Sequence, residues 1–319
     1  MKEFELIKQI KDIFPQKNIA IGIGDDTAAI KKENGYMLIT VDTITTNTHY
    51  RKKWRKKAEN LYFSLGWKLL AISISDIVSM GGVPELATVS FCLEKNFSKD
   101  DIFELSKGLA ESAKHYNINI AGGDTVKGDC EVFSLTLIGY GNSLMLRNNA
   151  KPGDFIAVTG FCGNAAGGLH LLEKKALYYS EIEKTLIENF LFPSPDIPTG
   201  KLLLENGVKC CIDNSDGLLV SLSIIAEESD VAINIEKDKI PISKKLKKVF
   251  GEDSFNLAIS GGEDYNLIFT FPEKAKEKFE KIDSVSIIGK VENGEGVYLD
   301  GKEITPSGFD HFGGNYDNL

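Results

Sequence analysis

The stretch Ile21-Gly22-Ile23-Gly24-Asp25-Asp26-Thr27 is an apolar segment in which two glycines are followed by two adjacent carboxylates. Glycine lets a backbone turn tightly and approach a ligand closely, because it has no Cβ atom to clash. Two neighbouring aspartates repel each other, so a fold that holds them together needs a cation or solvent between them. The stretch therefore favours a divalent metal site with oxygen ligands, although a solvated turn uses the same residue types.

The same arrangement, an apolar segment that ends at an aspartate, recurs along the chain. Aspartates that follow several core elements can converge on one spot, as functional residues on the loops of a rigid scaffold do. The recurrence therefore favours one acidic site over a series of unrelated turns. The recurrences are Ile39-Thr40-Val41-Asp42-Thr43, Ile74-Ser75-Asp76, Ile120-Ala121-Gly122-Gly123-Asp124-Thr125 and Ile212-Asp213-Asn214-Ser215-Asp216-Gly217.

Length and composition are those of an ordinary globular protein. The chain has 319 residues, enough for two domains, with 42% hydrophobic and 26% charged residues, which excludes wholesale disorder. Its net charge of −9 argues against nucleic acid as the main partner, because the phosphate backbone requires a basic surface. We expect no membrane partner, since no uninterrupted apolar run of about 18 residues occurs. The chain has five cysteines, an odd number, and none lies in a C-x-x-C pair. We therefore expect a reducing compartment and a cytoplasmic protein.

Strands and helices alternate along both halves of the sequence, which predicts a mixed α/β (α+β) fold. Residues 61–80 are apolar nearly all round and predict a buried helix. That helix carries Asp76, whose charge needs a partner inside the protein. Polarity rises and the apolar rhythm stops at residues 147–154. We place the domain boundary there, with an N-terminal domain at 1–148 and a C-terminal domain at 149–319.

Three further segments carry local expectations. The run Arg51-Lys52-Lys53-Trp54-Arg55-Lys56-Lys57 is basic with one aromatic residue. Such a run is compatible with binding to nucleic acid or phosphate, but it is more often a solvated loop, which we expect here. Residues 272–282 are predicted to form a helix, and residues 296–304 a hairpin that turns at Asp300-Gly301.

Several familiar catalytic and cofactor motifs are absent from the sequence. There is no G-x-x-x-x-G-K-[ST] loop for phosphates, and Gly22 and Gly24 lack the third glycine of a dinucleotide fingerprint. The four histidines have no metal-binding spacing, and no serine lies in a G-x-S-x-G elbow. The chemistry must therefore rest with the carboxylates.

Seven short motifs follow one another along the chain: Gly22-Ile23-Gly24-Asp25-Asp26, Val41-Asp42-Thr43, Ser75-Asp76-Ile77, Gly122-Gly123-Asp124-Thr125, Lys151-Pro152-Gly153-Asp154, Ile212-Asp213-Asn214-Ser215-Asp216-Gly217 and Ser260-Gly261-Gly262-Glu263-Asp264-Tyr265. In this order they resemble the thiamine-monophosphate kinase family of the aminoimidazole ribonucleotide synthetase superfamily. The resemblance implies ATP-dependent phosphorylation of thiamine monophosphate with several Mg²⁺ ions. It also implies two α/β domains, of which the N-terminal one completes a barrel across a homodimer.

The resemblance assigns roles residue by residue. The implied metal ligands are Asp26, Thr40, Val41, Asp42, Asp76, Asp124, Asp213 and Asp216. The implied nucleotide contacts are Tyr116, Gly123, Asp124, Arg147 and Ser215. The thiamine phosphate side is matched by His49, Glu263 and Phe309. We assign no nucleophile or general base, because the attacking phosphate oxygen is already largely ionised near neutral pH.

Two alternatives remain open from the sequence. A relative in the same superfamily that acts on another substrate with ATP would keep the aspartates and change the substrate pocket. A regulator that binds metal and nucleotide without turnover would keep the same residues. Steady formation of ADP in the presence of thiamine monophosphate separates the enzyme from the regulator.

Overall fold

The computed structural model describes residues 3–14, 17–58, 60–174, 176 and 178–309. Within them the chain forms a five-stranded and a seven-stranded sheet, both covered by helices, which confirms the predicted mixed α/β class. The strands are β1 (Ala28–Lys32), β2 (Gly35–Thr45), β3 (Val83–Glu94), β4 (Asn119–Gly128), β5 (Val132–Gly141), β6 (Phe155–Thr159), β7 (Cys210–Asp213), β8 (Ala232–Ile235), β9 (Leu267–Phe271), β10 (Val285–Glu292), β11 (Gly296–Leu299) and β12 (Lys302–Glu303). The helices are α1 (Glu3–Ile13), α2 (Leu61–Ser79), α3 (Lys99–Tyr116), α4 (Asn164–Glu173), α5 (Glu181–Leu191), α6 (Ile197–Glu205), α7 (Leu218–Ser229), α8 (Lys244–Phe250), α9 (Asp253–Ser260) and α10 (Lys276–Phe279).

The first sheet has the strand order β1-β2-β5-β3-β4. Its neighbours are antiparallel except for the parallel pair β3 and β4. Helices α2 and α3 pack against each other, and α2 also lies against β2 and β5. Two glycines allow these helices to approach closely. A Cβ atom at Gly66 would lie 1.9 Å from the Leu105 carbonyl oxygen, and a Cβ atom at Gly108 would lie 1.8 Å from the Phe63 carbonyl oxygen, so a larger residue would clash at either position.

Helix α2 is the buried helix that the sequence predicts. By length and composition alone it could cross a membrane, but 83% of its apolar window is buried inside the protein, as in the core helix of a globular fold. Besides the first sheet, it contacts β7, α5 and α6 of the second half. Residues on α2 therefore reach both halves of the chain.

The second sheet has the strand order β12-β11-β8-β10-β6-β9-β7, with β8 and β11 parallel. The predicted hairpin is confirmed, and Asp300 and Gly301 at its turn have φ angles of 51° and 75°. The helix predicted over residues 272–282 is present but shorter than predicted: a 3-10 turn (Glu273–Ala275) leads into α10, which is four residues long. Its one buried side chain, Phe279, packs against Phe269 and Phe271, and a helix with so narrow an apolar contact has little tertiary packing to lengthen it.

The basic run is not the solvated loop that we expected. Residues Lys52–Lys56 form a 3-10 turn. The Trp54 side chain is 1% exposed and packs nearly perpendicular to the Phe190 ring, with the ring centres 5.7 Å apart. Five of the six cations in this run pair with acids or carbonyl groups, so this segment links neighbouring elements. The pairs are Arg51–Glu173, Lys52–Glu94, Lys52–Glu131, Lys53–Glu173, Arg55–Asp101 and Lys57 with the Leu172 carbonyl.

Candidate active site

Three of the predicted aspartates meet at the junction of the two halves. One carboxylate oxygen from each of Asp26, Asp76 and Asp213 lies within 4.8 Å of the others. Asp26 precedes β1, Asp76 lies on α2 and Asp213 ends β7. We call these three side chains the acidic group. The recurrence of aspartates after apolar segments predicted that such side chains would converge from distant parts of the chain.

Asp76, Asp213 and the neighbouring Asp42 lie in an environment that disfavours their negative charge. Burial, with the Asp26 carboxylate, raises the pKa of Asp213 from 3.8 to about 7. Burial raises the pKa of Asp42 to about 6, and burial together with Asp42 and Asp213 raises the pKa of Asp76 well above its usual value. The group therefore holds more negative charge than its surroundings compensate, and protons or cations must balance it.

Serines of α2 hold these carboxylates in place. Each serine donates a hydrogen bond to an aspartate on another segment: Ser73 Oγ to Asp42 Oδ2 at 2.6 Å, Ser75 Oγ to Asp213 Oδ2 at 2.8 Å and Ser79 Oγ to Asp26 Oδ2 at 2.6 Å. Helix α2 thus aligns side chains that come from β2, from β7 and from the segment before β1. No role was predicted for the three serines from the sequence, although Ser75 lies in the motif Ser75-Asp76-Ile77. The available signal was their presence in a mostly apolar helix beside Asp76.

Strand β2 supplies the remaining predicted metal residues of this region. Thr40 is buried, and its hydroxyl donates to Asp76 Oδ2 at 2.6 Å. The Val41 side chain is 64% exposed and faces away from Asp76, since neighbouring residues of a strand point to opposite faces. Any contribution of Val41 to a metal site would therefore come from its backbone.

Arg147 is the cation beside the acidic group. It pairs with Asp26, and its Nε lies 3.8 Å from Asp25 Oδ1. Burial disfavours its charge, but the Asp26 and Asp25 carboxylates outweigh that effect and raise the pKa of Arg147. Burial and the neighbouring Asp26 charge raise the pKa of Asp25 to about 7. Arg147 Nε is buried without a hydrogen-bond partner among the described residues, so the site contains an unused donor.

The loop after β7 joins the acidic group to the residues expected on the thiamine phosphate side. Ser215 Oγ donates to Asp213 Oδ1 at 3.0 Å, and the Ser215 carbonyl accepts from the Glu263 N–H at 2.6 Å. The Asp216 carbonyl accepts from the Phe309 N–H at 3.0 Å. The Asp216 carboxylate is not part of the acidic group. This loop therefore places Glu263 and Phe309 beside the candidate metal site.

Within one chain, Asp124 and Gly123 lie far from the acidic group. Both lie on β4, which is three strands from β2, or about 14 Å at the usual spacing of about 4.8 Å between strands. Asp124 is aligned with Ser90, which is aligned with Ser134. Those side chains share the sheet face opposite α2, where Asp124 is exposed. The roles of Gly123 and Asp124 stay predictions.

Tyr116 and His49 also lie apart from the acidic group. Tyr116 ends α3, where its hydroxyl lies 3.4 Å from Ser194 Oγ. His49 follows β2, and its Nδ1 accepts from the Thr45 N–H at 3.1 Å. The segment that carries His49 is anchored by the Thr46 N–H, which donates to the Glu131 carbonyl at 3.2 Å.

A two-domain α/β protein with an acidic group at the domain junction is the class that this fold and site define. The family models described as AIR synthase related protein, N-terminal domain and C-terminal domain match residues 24–141 and 151–302. Within that class, the chain belongs to the thiamine-monophosphate kinase family.

Relatives along the full chain support this membership. The chain is 32% identical to the thiamine-monophosphate kinase of Aquifex aeolicus, over 97% of this chain and 98% of that protein. It is 34% identical to the enzyme of the same name from Methanopyrus kandleri, over 93% of this chain and 92% of that protein. A solved structure of AaThiL complexed with AMPPCP and TMP superposes with a TM-score of 0.90 and 31% identity, over 98% of this chain and 97% of that one.

Proposed function

We propose that this chain catalyses the ATP-dependent phosphorylation of thiamine monophosphate to thiamine diphosphate. The observation that carries the proposal is the full-length likeness to AaThiL complexed with AMPPCP and TMP, at a TM-score of 0.90. The acidic group supplies a physical reason, because two phosphorylated anions can meet only where their charge is neutralised.

Mg²⁺ is the cofactor that the residues of the site fit. Carboxylate oxygens within 4.8 Å of one another are the hard donors that Mg²⁺ prefers. The raised pKa values of Asp42 and Asp213 indicate a deficit of positive charge at the site. Bound Mg²⁺ would neutralise phosphate charge and orient the transferred group. Asp26, Asp42, Asp76 and Asp213 would hold it, with Thr40 orienting Asp76.

The protein's own residues position the two substrates. Arg147, whose buried Nε makes no hydrogen bond among the described residues, can donate to a phosphate oxygen of the nucleotide. Glu263 and Phe309, whose backbone N–H groups donate to carbonyls of the loop after β7, would bind the cationic and aromatic parts of thiamine monophosphate. No side chain needs to act as a nucleophile or base, so direct in-line transfer depends on positioning and electrostatics.

A homodimer would complete the site. Strand β4 is an unpaired edge of the first sheet among the described residues, and all but the last of its residues are exposed. An exposed edge strand invites pairing with another chain. Since Asp124 lies about three strands from β2 and on the opposite sheet face, we infer that Asp124 serves the site of the partner subunit.

Mixing two inactive variants tests the shared site. Asp76→Asn and Asp124→Asn protomers, unfolded together and refolded, would form mixed dimers with one intact site each. Random pairing predicts recovery of about a quarter of the wild-type rate. Size-exclusion chromatography with light scattering measures the oligomeric state. Mixtures that stay inactive although mixed dimers have formed would place both residues in the same protomer's site.

Incubation with ATP, Mg²⁺ and thiamine monophosphate tests the proposed reaction directly. Chromatography of the products should show thiamine diphosphate and ADP in equal amounts. Substitution of thiamine monophosphate by thiamine is the matched control and should give no product. ADP without thiamine diphosphate would indicate another substrate within the superfamily, and the absence of ADP would indicate a regulator.

A further inference from the structure

Lys68 is a buried cation on α2 that the proposed reaction does not use. Its side chain is 3% exposed. Its Nζ lies 2.5 Å from Glu263 Oε2, donates to the Phe190 carbonyl at 3.0 Å and lies 3.6 Å from the centre of the Phe190 ring. A carboxylate, a carbonyl and an aromatic face therefore hold the ammonium group from three directions.

Glu263 is held so that one of its two oxygens stays available. Lys68 and the Tyr265 hydroxyl, at 3.1 Å, both contact Oε2. Among the described residues, the hydrogen bond and the ion pair of this carboxylate both involve Oε2 rather than Oε1, and the Glu263 side chain is 22% exposed. Glu263 and Tyr265 have φ angles of 71° and 53°, values that cost energy for residues other than glycine. Strain of this kind commonly marks a functional constraint.

We propose that Lys68 is a positioning residue that orients the Glu263 carboxylate and thereby presents Oε1 to the aromatic, cationic end of the phosphorylated substrate. The inference rests on the proposed function and adds to it the residue that sets substrate affinity from the protein interior. Lys68 does not touch the substrate; it acts through Glu263.

Helix α2 connects Lys68 to the acidic group. Lys68 and Asp76 lie eight residues apart on the same helix, which corresponds to about 12 Å along its axis at 1.5 Å per residue. Asp76 belongs to the acidic group at the phosphate end, and Lys68 holds the carboxylate at the other end. One rigid helix therefore sets the separation between the two ends of the substrate site.

Stability alone is a weak reason for this ion pair. A buried ion pair is often no more stabilising than apolar residues of similar volume, because both charges lose their hydration. Burial lowers the pKa of the Lys68 ammonium, while the Glu263 carboxylate opposes that effect. Burial of the Lys68–Glu263 pair therefore costs free energy, and a role in orienting Glu263 would explain why the pair is present.

A double-mutant cycle of Lys68→Met and Glu263→Gln tests the inference. Each single variant should raise KM for thiamine monophosphate about tenfold while KM for ATP stays within about twofold. The double variant should be no worse than Glu263→Gln alone, because Lys68 acts only through that carboxylate. Lys68→Gln, which keeps an N–H donor, should recover part of the affinity. Lys107→Met, which breaks the exposed pair with Glu104, is the control and should change neither KM.

Several outcomes would overturn the inference. Equal changes in both KM values, additive effects in the cycle, or a lower Tm with unchanged KM would each show that Lys68 serves packing alone. Failure of both Lys68 variants to fold would show the same. The wild-type protein separates this result from the proposed function: without thiamine diphosphate formation by the wild type, both proposals fall, whereas an active wild type with unaffected Lys68 variants removes only this one.

Discussion

The acidic group and the basic run Arg51–Lys57 are two concentrations of like charge that the fold treats in opposite ways. In the basic run, five of the six cations pair with Glu94, Glu131, Asp101, Glu173 or a carbonyl group. In the acidic group, buried carboxylates face one another, and Arg147 is the cation beside them. Charge that is compensated internally serves the structure, whereas charge left uncompensated requires a ligand.

The largest effect is expected from Asp76→Asn, which removes one charge from the acidic group. Turnover should fall by about a hundred- to a thousandfold, as when an electrostatic contact to the transition state is lost. The metal-free variant should have a Tm at or above that of the wild type, because repulsion among the carboxylates is relieved. Steady-state kinetics and thermal melting without Mg²⁺ measure both. A wild-type rate would make Asp76 structural and would remove the contrast with the basic run.

Trp54→Ala tests the structural role of the basic run. The Trp54 side chain is 1% exposed, and its removal should cost about 3 kcal/mol or more of unfolding free energy through the cavity that it leaves. Both KM values should stay unchanged if the basic run is purely structural. Denaturant unfolding and kinetics of the folded fraction measure these effects. A selective rise in KM for ATP at unchanged stability would instead give this segment a binding role.

The pH dependence of stability sharpens the contrast further. The folded-state pKa values of Asp42, about 6, and of Asp213, about 7, exceed the ordinary value of 3.8. The folded state therefore binds more protons than the unfolded state between about pH 4 and 7. The stabilisation is fully present below about pH 4 and is lost as pH rises through 6 and 7. Metal-free protein should lose several degrees of Tm across this range, and Mg²⁺ should reduce the loss. A Tm that rises with pH in this window would contradict the charge deficit.

The smallest effect is expected from Lys53→Ala. Lys53 lies 2.5 Å from Glu173 and is 60% exposed, and such surface pairs contribute about 0.2–1 kcal/mol. Stability should fall by about 0.5 kcal/mol or less, and the difference from wild type should shrink at high salt. Parallel melts at low and high NaCl concentration test this. A loss above about 1 kcal/mol would show that Lys53 belongs to a cooperative network.

Local patterns predicted most of the elements, because periodicity and capping depend on residues a few positions apart. The apolar run of α2 predicted a buried helix, and at the start of α3 the Ser98 hydroxyl accepts a hydrogen bond from the Asp101 N–H, a cap between residues three positions apart. Local pattern overestimated the length of the helix at residues 272–282, where few buried contacts extend it. It was also wrong for the basic run, since the acids that pair with those cations lie 42 positions away (Lys52 and Glu94) to 122 positions away (Arg51 and Glu173).

The sequence by itself determined the alternation of strands and helices, the buried helix and the recurrence of aspartates after apolar segments. Tertiary structure decided which aspartates meet. Ser75 and Asp213 are 138 positions apart and yet form a 2.8 Å hydrogen bond, whereas Asp124 lies on the far edge of the sheet that contains Asp42. The physical reason is that propensity acts over a few residues, while a site forms where packed elements bring distant side chains within a few ångströms. That distance depends on strand order and register, which no single segment encodes.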